Sequence, residues 1–99
     1  AFFSLFGTGC GPMISGVKIL RARVSLSEAQ TAGANKEALY EYTAAEEYFK
    51  KAREEHAYSE FWTARRYADK AIFYAQQARQ KAETASKIEQ IGVESSESE

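Results

Sequence analysis

The sequence predicts an all-α protein in which three helices pack together, two of them forming a long antiparallel hairpin. Two observations support this fold class. From residue 17 to residue 91, apolar residues recur every three or four positions, as they do on one face of a helix. The only proline and four of the six glycines precede this region, so few helix breakers interrupt it.

The first helix is expected over residues 17–32. Its inward row is Ile19, Ala22, Leu26, Ala29 and then Gly33, and a second apolar row runs beside it through Val17, Leu20 and Val24. Gly33 is suited to the left-handed conformation that commonly ends a helix. Asn35 is a suitable N-cap for the helix that follows.

Two longer helices are expected over residues 36–56 and 60–91. The apolar row of the second helix is Ala38, Tyr42, Ala45, Phe49, Ala52 and His56. The row of the third helix is one aromatic residue followed by alanines: Phe61, Ala64, Ala68, Ala71, Ala75, Ala78, Ala82 and Ala85. Because alanine buries little apolar area, we expect larger residues of the facing helix to supply most of the core. The suitable ones are Leu39, Tyr42, Tyr48 and Phe49.

The chain is expected to turn between His56 and Glu60. The three-or-four spacing slips there, and Ser59 is a suitable N-cap that would place Glu60 in the first turn of the third helix. The alternative is one unbroken helix from Lys36 to Ile91, which would be roughly 84 Å long at 1.5 Å per residue. Such a helix would need a partner along its whole length.

The two ends of the chain differ from the helical region. Residues 1–16 carry no charge and are rich in glycine, so we expect no stable helix there, and they are slightly short for a membrane span. The acidic segment GVESSESE at residues 92–99 has little to bury and is expected to be disordered. The helical domain therefore occupies residues 17–91.

The composition excludes several kinds of function. Thirteen basic and 14 acidic residues give a net charge of −1, which does not favour binding to nucleic acid. One histidine and one cysteine cannot supply four zinc ligands or an internal disulfide. Arg53 stands three positions before His56, where a di-iron bundle requires glutamate. We expect no catalytic activity, no metal, no cofactor and no small-molecule substrate.

Cys10 is the residue for which the sequence predicts a specific chemical role. It follows the apolar segment AFFSLFGTG, which ends in the small residues Thr8 and Gly9. This arrangement resembles the end of a bacterial lipoprotein signal peptide. The resemblance implies that residues 1–9 are removed, that the Cys10 thiol receives diacylglycerol, and that residues 10–16 form a flexible linker to the lipid. Gly11, which follows the cysteine, would by the same resemblance direct the protein to the outer membrane.

The aromatic residues form the best candidate for a binding surface. Ten of them lie between Tyr40 and Tyr74, more than one helix–helix contact can hold. If Ala68 and Ala71 face inward, Phe73 points away from the contact. Either the first helix covers these residues, or some of them meet a partner protein. The residues assigned to this surface are Tyr58, Trp62, Tyr67, Phe73 and Tyr74.

Residues 10–91 also resemble an uncharacterised family of short, alanine-rich bacterial lipoproteins, in which a lipid-bearing cysteine precedes a helix and a helical hairpin. The residues that match are Cys10, Ala29, Gly33, Ala34, Leu39, Ala45, Ala52, Ala64, Ala68, Ala71, Ala75 and Ala78. In addition, the stretch from Ser59 to Ala71 is similar to the second helix of a tetratricopeptide unit. We therefore expect a hairpin of the tetratricopeptide-like or coiled-coil kind.

These features predict a non-catalytic envelope lipoprotein that acts as a structural or protein-interaction module. Lipid on Cys10 would hold it at the periplasmic face of the bacterial outer membrane. The helical surface would bind an unidentified envelope protein or a second copy of the chain. The alternative is a soluble coiled-coil adaptor or homo-oligomer without lipid, in which residues 1–16 are only a leader.

Overall fold

A computed structural model describes the backbone of residues 2–97 and the side chains of residues 12–92. Within that backbone range the chain forms four helices and no strand: α1 (Phe2–Thr31), α2 (Ala34–Glu37), α3 (Leu39–Ala57) and α4 (Phe61–Glu97). The all-α prediction is confirmed. α4 packs against both α1 and α3, which contact each other less.

The core consists almost entirely of alanine. The buried alanines, each at most 1% exposed, are Ala22, Ala29, Ala34, Ala38, Ala45, Ala52, Ala64, Ala68, Ala71, Ala75, Ala78 and Ala82. Apart from Ala34, these alanines belong to the inward rows that the spacing predicts, and the rows are confirmed at these positions. The predicted row members Ile19, His56, Phe61 and Ala85 are only half-buried. Because a methyl side chain barely projects from a helix, the axes can approach to the short end of the usual range of about 8–10 Å.

The expectation that larger side chains fill the core is wrong for Leu39 and holds only in part for Tyr42 and Phe49, which pack against the buried clusters. Leu39 is exposed, and Tyr42, Tyr48 and Phe49 are only half-buried. The alanine faces of the helices meet each other directly, which leaves no room between them for an aromatic ring. The large side chains therefore pack around the edges of the contact, as Tyr42, Phe49 and Tyr74 do beside the cluster of Leu26, Ala45 and Ala75.

The chain turns sharply between α3 and α4, so the alternative of one unbroken helix is wrong. The Ser59 amide donates to the His56 carbonyl at 3.0 Å, and the Glu60 amide donates to the Glu55 carbonyl at 2.8 Å. These two bonds form a Schellman motif, which closes the C-terminus of a helix. Ser59 has a left-handed φ of 62° and ends α3. The prediction that Ser59 is the N-cap of α4 is therefore wrong.

The left-handed conformation of Ser59 predicts a stabilising substitution. A residue with a side chain loses roughly 1 kcal/mol in this conformation, whereas glycine adopts it freely. Ser59→Gly should therefore increase the free energy of unfolding by about 0.5–1 kcal/mol, measured by urea denaturation. Ser59→Ala is the matched control, because it keeps the strained conformation and should give no gain. An equal gain from both variants would contradict this explanation.

The connection between α1 and α3 is only partly as predicted. Gly33 has a φ of 88° two positions after Thr31, the last residue of α1, which confirms that it ends the helix. Asn35 is not an N-cap, because it lies inside the short helix α2. Ala34 and Ala38 at either end of α2 are buried in one cluster with Ala29, Ala78 and Ala82. Packing of these alanines therefore fixes the connection. The sequence predicts instead that the Asn35 side chain fixes it as an N-cap.

Helical structure also extends beyond both predicted ends. α1 runs through the segment expected to be a flexible linker, with Pro12 inside it. Ser15 is fully buried against α3 in this segment, and a helix that is already nucleated lengthens at little cost per residue. These effects offset the glycine penalty on which the prediction rested. At the other end, α4 continues to Glu97, although the acidic segment from Gly92 was expected to be disordered.

Candidate protein-interaction surface

The structure divides the five predicted interaction residues into two groups. Tyr58, Trp62 and Phe73 are exposed by 77%, 70% and 55% respectively. Tyr67 and Tyr74 are half-buried. Trp62 and Phe73 are separated by three helical turns and therefore lie on the same side of α4. Tyr58, directly after α3, extends this exposed aromatic set to the turn between the helices.

Tyr67 and Tyr74 belong to a stack of three tyrosine rings that joins α3 to α4. The ring of Tyr48 lies between them, with centroids 6.0 Å from Tyr67 and 5.6 Å from Tyr74 and with nearly parallel planes. Stacked pairs of this kind contribute about 0.5–1.5 kcal/mol beyond the area that they bury. Tyr67 and Tyr74 therefore serve mainly to hold the hairpin together.

Cationic side chains cover several of these rings. The Lys51 ammonium lies 5.7 Å from the Tyr67 ring, and the Lys70 ammonium lies 5.3 Å from the Tyr48 ring. The Arg65 guanidinium lies 5.6 Å from the Trp62 ring, close enough to limit how the indole moves. Since the exposed indole is partly oriented in this way, a partner that binds it would have less side-chain entropy to overcome.

Tyr48 is the member of the stack that the sequence did not single out as a site residue. It lies beside the inward row of α3, between Ala45 and Ala52. This position is the signal that could have identified Tyr48, because a ring beside a row of alanines can contact the neighbouring helix. The sequence instead drew attention to the density of aromatic residues on α4, which does not reveal which rings pair.

Ser15 and His56 form the one contact in the described side chains that resembles a catalytic pair. The Ser15 hydroxyl oxygen lies 2.8 Å from His56 Nδ1 and 3.3 Å from the Pro12 carbonyl oxygen. A serine next to a histidine is the arrangement of an activated nucleophile. Ser15 is fully buried, however, so a substrate has no access to it. The pair links α1 to the end of α3, where the His56 ring also contacts the Phe61 ring edge-on at 5.3 Å.

Ion pairs connect α4 to both of its neighbours. Lys18 of α1 pairs with Asp69 at 2.9 Å, and Lys81 of α4 pairs with Glu41 of α3 at 3.3 Å. Glu28 of α1 pairs with Arg79 of α4. The backbone amide of Glu41 holds the pKa of its own carboxyl below the ordinary value, and Lys81 lowers this pKa further. Because water and salt screen such surface pairs, each of them adds little to stability.

The remaining predicted features involve Cys10, metals and membrane spans. Cys10 lies in α1, but its side chain is outside the part that the structure describes. Among the described residues, no three His, Cys, Asp or Glu side chains come together in a way that could hold a metal ion. None of the helices, as far as they are described, combines the length and the apolar character that crossing a membrane requires.

Comparison with known proteins identifies the family. Residues 17–92 match the family model described as "Domain of unknown function (DUF4398)". No curated protein and no solved structure matches the chain. The match begins and ends within one residue of the helical domain predicted from the sequence, and it agrees with the resemblance to an uncharacterised family. The chain therefore belongs to the DUF4398 family.

Proposed function

We propose that the chain is a non-catalytic, lipid-anchored protein of the bacterial cell envelope whose helical surface binds another protein. The observation that carries this proposal is the distribution of apolar side chains. Small residues fill the core, and large ones lie on the outside, among them Leu39, Tyr40, Tyr58, Trp62 and Phe73. A protein that buries alanine and exposes tryptophan and phenylalanine has its best contact residues available for a partner.

The surface proposed to bind the partner is made by Tyr58, Trp62 and Phe73. Aromatic residues are over-represented among those that dominate binding energy at interfaces. Arg65 beside Trp62 adds a guanidinium, which is also enriched at such sites. The buried position of Ser15 supports a non-catalytic role, because its hydroxyl is closed off from substrates by the packing of α1.

Alanine substitution separates the proposed surface from the tyrosine stack. The double variant Trp62→Ala/Phe73→Ala should keep its melting temperature, because both side chains are exposed. It should weaken partner binding by at least about tenfold, as loss of interface hot spots does. Cross-linking in intact cells, read as loss of a heavier band, would measure this effect.

Tyr67→Ala is the matched control for that experiment. Its ring stacks on Tyr48, so its removal should lower the free energy of unfolding by about 1 kcal/mol. If Trp62→Ala/Phe73→Ala destabilised the protein more than Tyr67→Ala did, the exposed aromatic residues would be structural and the proposed surface would be wrong.

The lipid anchor is tested at Cys10. Lipid chains contribute about 0.8 kcal/mol for each buried CH₂ group, so the acylated protein should sediment with membranes. After a high-salt wash, which releases protein held to membranes by charge, Cys10→Ala should be found in the soluble fraction. Ser86→Ala, an exposed substitution on α4, should stay with the membranes. Mass spectrometry of the membrane-bound protein should show a lipid-modified Cys10 at the new N-terminus. An unmodified Cys10 still joined to Gly9 would contradict the proposal.

The same fractionation distinguishes the alternative function. A soluble coiled-coil adaptor or homo-oligomer would remain in the soluble fraction whether or not Cys10 is present. Its mass in solution, measured by light scattering, would be a multiple of the 11.1 kDa chain. Membrane association that depends on Cys10 supports the lipid-anchored module instead.

A further inference from the structure

α1 is apolar on two opposite faces. Its inner face contains Ala22, Leu26 and Ala29, which are buried against the other helices. A second row points to solvent, and its members are between 47% and 69% exposed: Met13, Val17, Leu20 and Val24. At 100° per residue, the centre of this outer row lies about 180° from the buried row. Leu20 and Val24 border a groove against Ile72 and Gln76 of α4, but both side chains stay about half exposed in the described chain.

The charges on α1 are arranged around this outer row. Arg21 lies to one side of it and Arg23 to the other, and both are exposed. The first acidic residue of the whole sequence is Glu28, which pairs with Arg79 of α4. Lys18 is likewise directed to α4, where it pairs with Asp69. Glu28 also borders the outer row, one turn after Val24, but Arg79 offsets its charge. The other charged groups on this border are the two arginines.

We propose that the outer face of α1 lies on an anionic phospholipid surface. This inference rests on the proposed function, because it assigns a second contact with the membrane that holds the lipid anchor. A helix with an exposed aliphatic row and cationic flanks can lie in the headgroup region with its apolar face toward the acyl chains. Arg21 and Arg23 have side chains long enough to reach anionic headgroups on both sides of the row.

The spacing of the row agrees with this placement. Successive members are four, three and four residues apart, and position 10 stands three residues before Met13. The backbone of α1 is helical through position 10, so the attachment position continues the same series. An anchor there and the outer row would then engage one membrane surface, with α1 parallel to it.

A second copy of the chain is the other occupant to weigh, and the observations favour it less. A stable protein interface buries about 800 Å² on each partner, which four half-exposed side chains on three helical turns do not provide. Pairing two such rows would also bring the arginines of both copies close together. Anionic lipid, in contrast, neutralises these arginines.

The test uses residues 10–99 with Cys10→Ala, so that neither a lipid anchor nor the apolar segment AFFSLFGTG contributes to binding. Co-sedimentation with vesicles is compared for pure phosphatidylcholine and for a mixture with one quarter phosphatidylglycerol. We expect binding to the anionic vesicles only. Leu20→Glu/Val24→Glu should reduce the partition coefficient at least tenfold. Loss of one arginine, as in Arg21→Gln, should reduce it by about fivefold on the anionic vesicles.

Ile88→Glu/Ile91→Glu is the matched control, because it removes two exposed aliphatic side chains from α4 and should leave binding unchanged. A second readout uses Leu20→Trp in a Trp62→Phe background, where the new indole should shift its emission to shorter wavelength and be quenched by brominated lipid. The same indole introduced by Ile88→Trp should show neither effect.

Three results would overturn the proposal: equal binding to both kinds of vesicle, no binding to either, or a dimer in solution that Leu20→Glu/Val24→Glu dissociates. The last result would assign the face to a second copy of the chain. Because these measurements use protein without Cys10, they do not depend on lipidation. Failure of the lipid anchor appears instead in the cellular fractionation of the unmodified sequence and of Cys10→Ala.

Discussion

Ala75→Leu is expected to destabilise the protein by about 3 kcal/mol, the upper end of the usual cost of overpacking. Ala75 is buried between two helices, because it lies in one cluster with Leu26 of α1 and Ala45 of α3. It has no accessible surface, and the methyl groups opposite it cannot turn away to make room. A leucine there must push the helices apart, which separates neighbouring alanines as well. The melting temperature should fall by roughly 12–24 °C.

The matched control is Ala57→Leu, at the exposed end of α3. The same three carbon atoms are added there without a neighbour to displace, so the change in the free energy of unfolding should stay within about 0.5 kcal/mol. Thermal denaturation followed by circular dichroism measures both variants. If Ala75→Leu were tolerated as well as Ala57→Leu, the close approach of α1, α3 and α4 would not hold in solution.

Leu26→Ala is expected to have the second largest effect, a loss of about 2–3 kcal/mol. Leu26 is 9% exposed and is the one large aliphatic side chain in the described core. Tyr42, Phe49 and Tyr74 pack against the cluster that contains Leu26, so they are the rings closest to the cavity that truncation would leave. Because each ring is attached to a helix backbone, these rings can close such a cavity only in part.

Leu20→Ala provides the comparison on the same helix. Leu20 is exposed, so the same truncation should change the free energy of unfolding by less than about 0.5 kcal/mol in solution. Urea denaturation of the two variants, analysed with a common slope, gives the difference. Equal destabilisation by Leu20→Ala would mean that the outer row of α1 is buried in the protein in solution.

The alanine rows were the part of the fold that the sequence predicted best. Ala64, Ala68, Ala71 and Ala75 recur at helical spacing, and burial is the simplest physical reason for such a run. Spacing does not show what lies opposite a row, however. Whether an alanine meets a ring or another methyl group depends on how closely the helices approach, and this distance follows from all three helices together.

The turns were predicted less well because two competing interactions decide them. Ser59 is a good N-cap by residue type, but the chain uses it in a left-handed conformation to satisfy the last carbonyls of α3. Asn35 is likewise a good N-cap whose position is decided by burial of Ala34 and Ala38. In both places tertiary packing overrides a local preference of about 1 kcal/mol.

The sequence predicted which region contains the candidate surface. It did not predict which of the aromatic residues there are exposed and which stack between the helices. Aromatic density on α4 indicated the region that contains Trp62 and Phe73. The pairing of Tyr67 and Tyr74 with Tyr48 depends on which helix lies beside α4, and periodicity within one helix contains no information about that. The outer row of α1 was visible as a second apolar row, but only the packing shows that it faces solvent.

The alanine core has a consequence for how the helices are aligned lengthwise. Alanines repeated at three-and-four spacing look nearly the same after a shift of seven residues, about 10 Å along a helix. Methyl-to-methyl contacts therefore do not by themselves select one sliding position of α4 against α1 and α3. The unique pairs select it: Ser15 with His56, Lys18 with Asp69, Glu28 with Arg79 and Glu41 with Lys81. Contacts that add little to the depth of the free-energy minimum thus determine which of several similar minima the chain occupies.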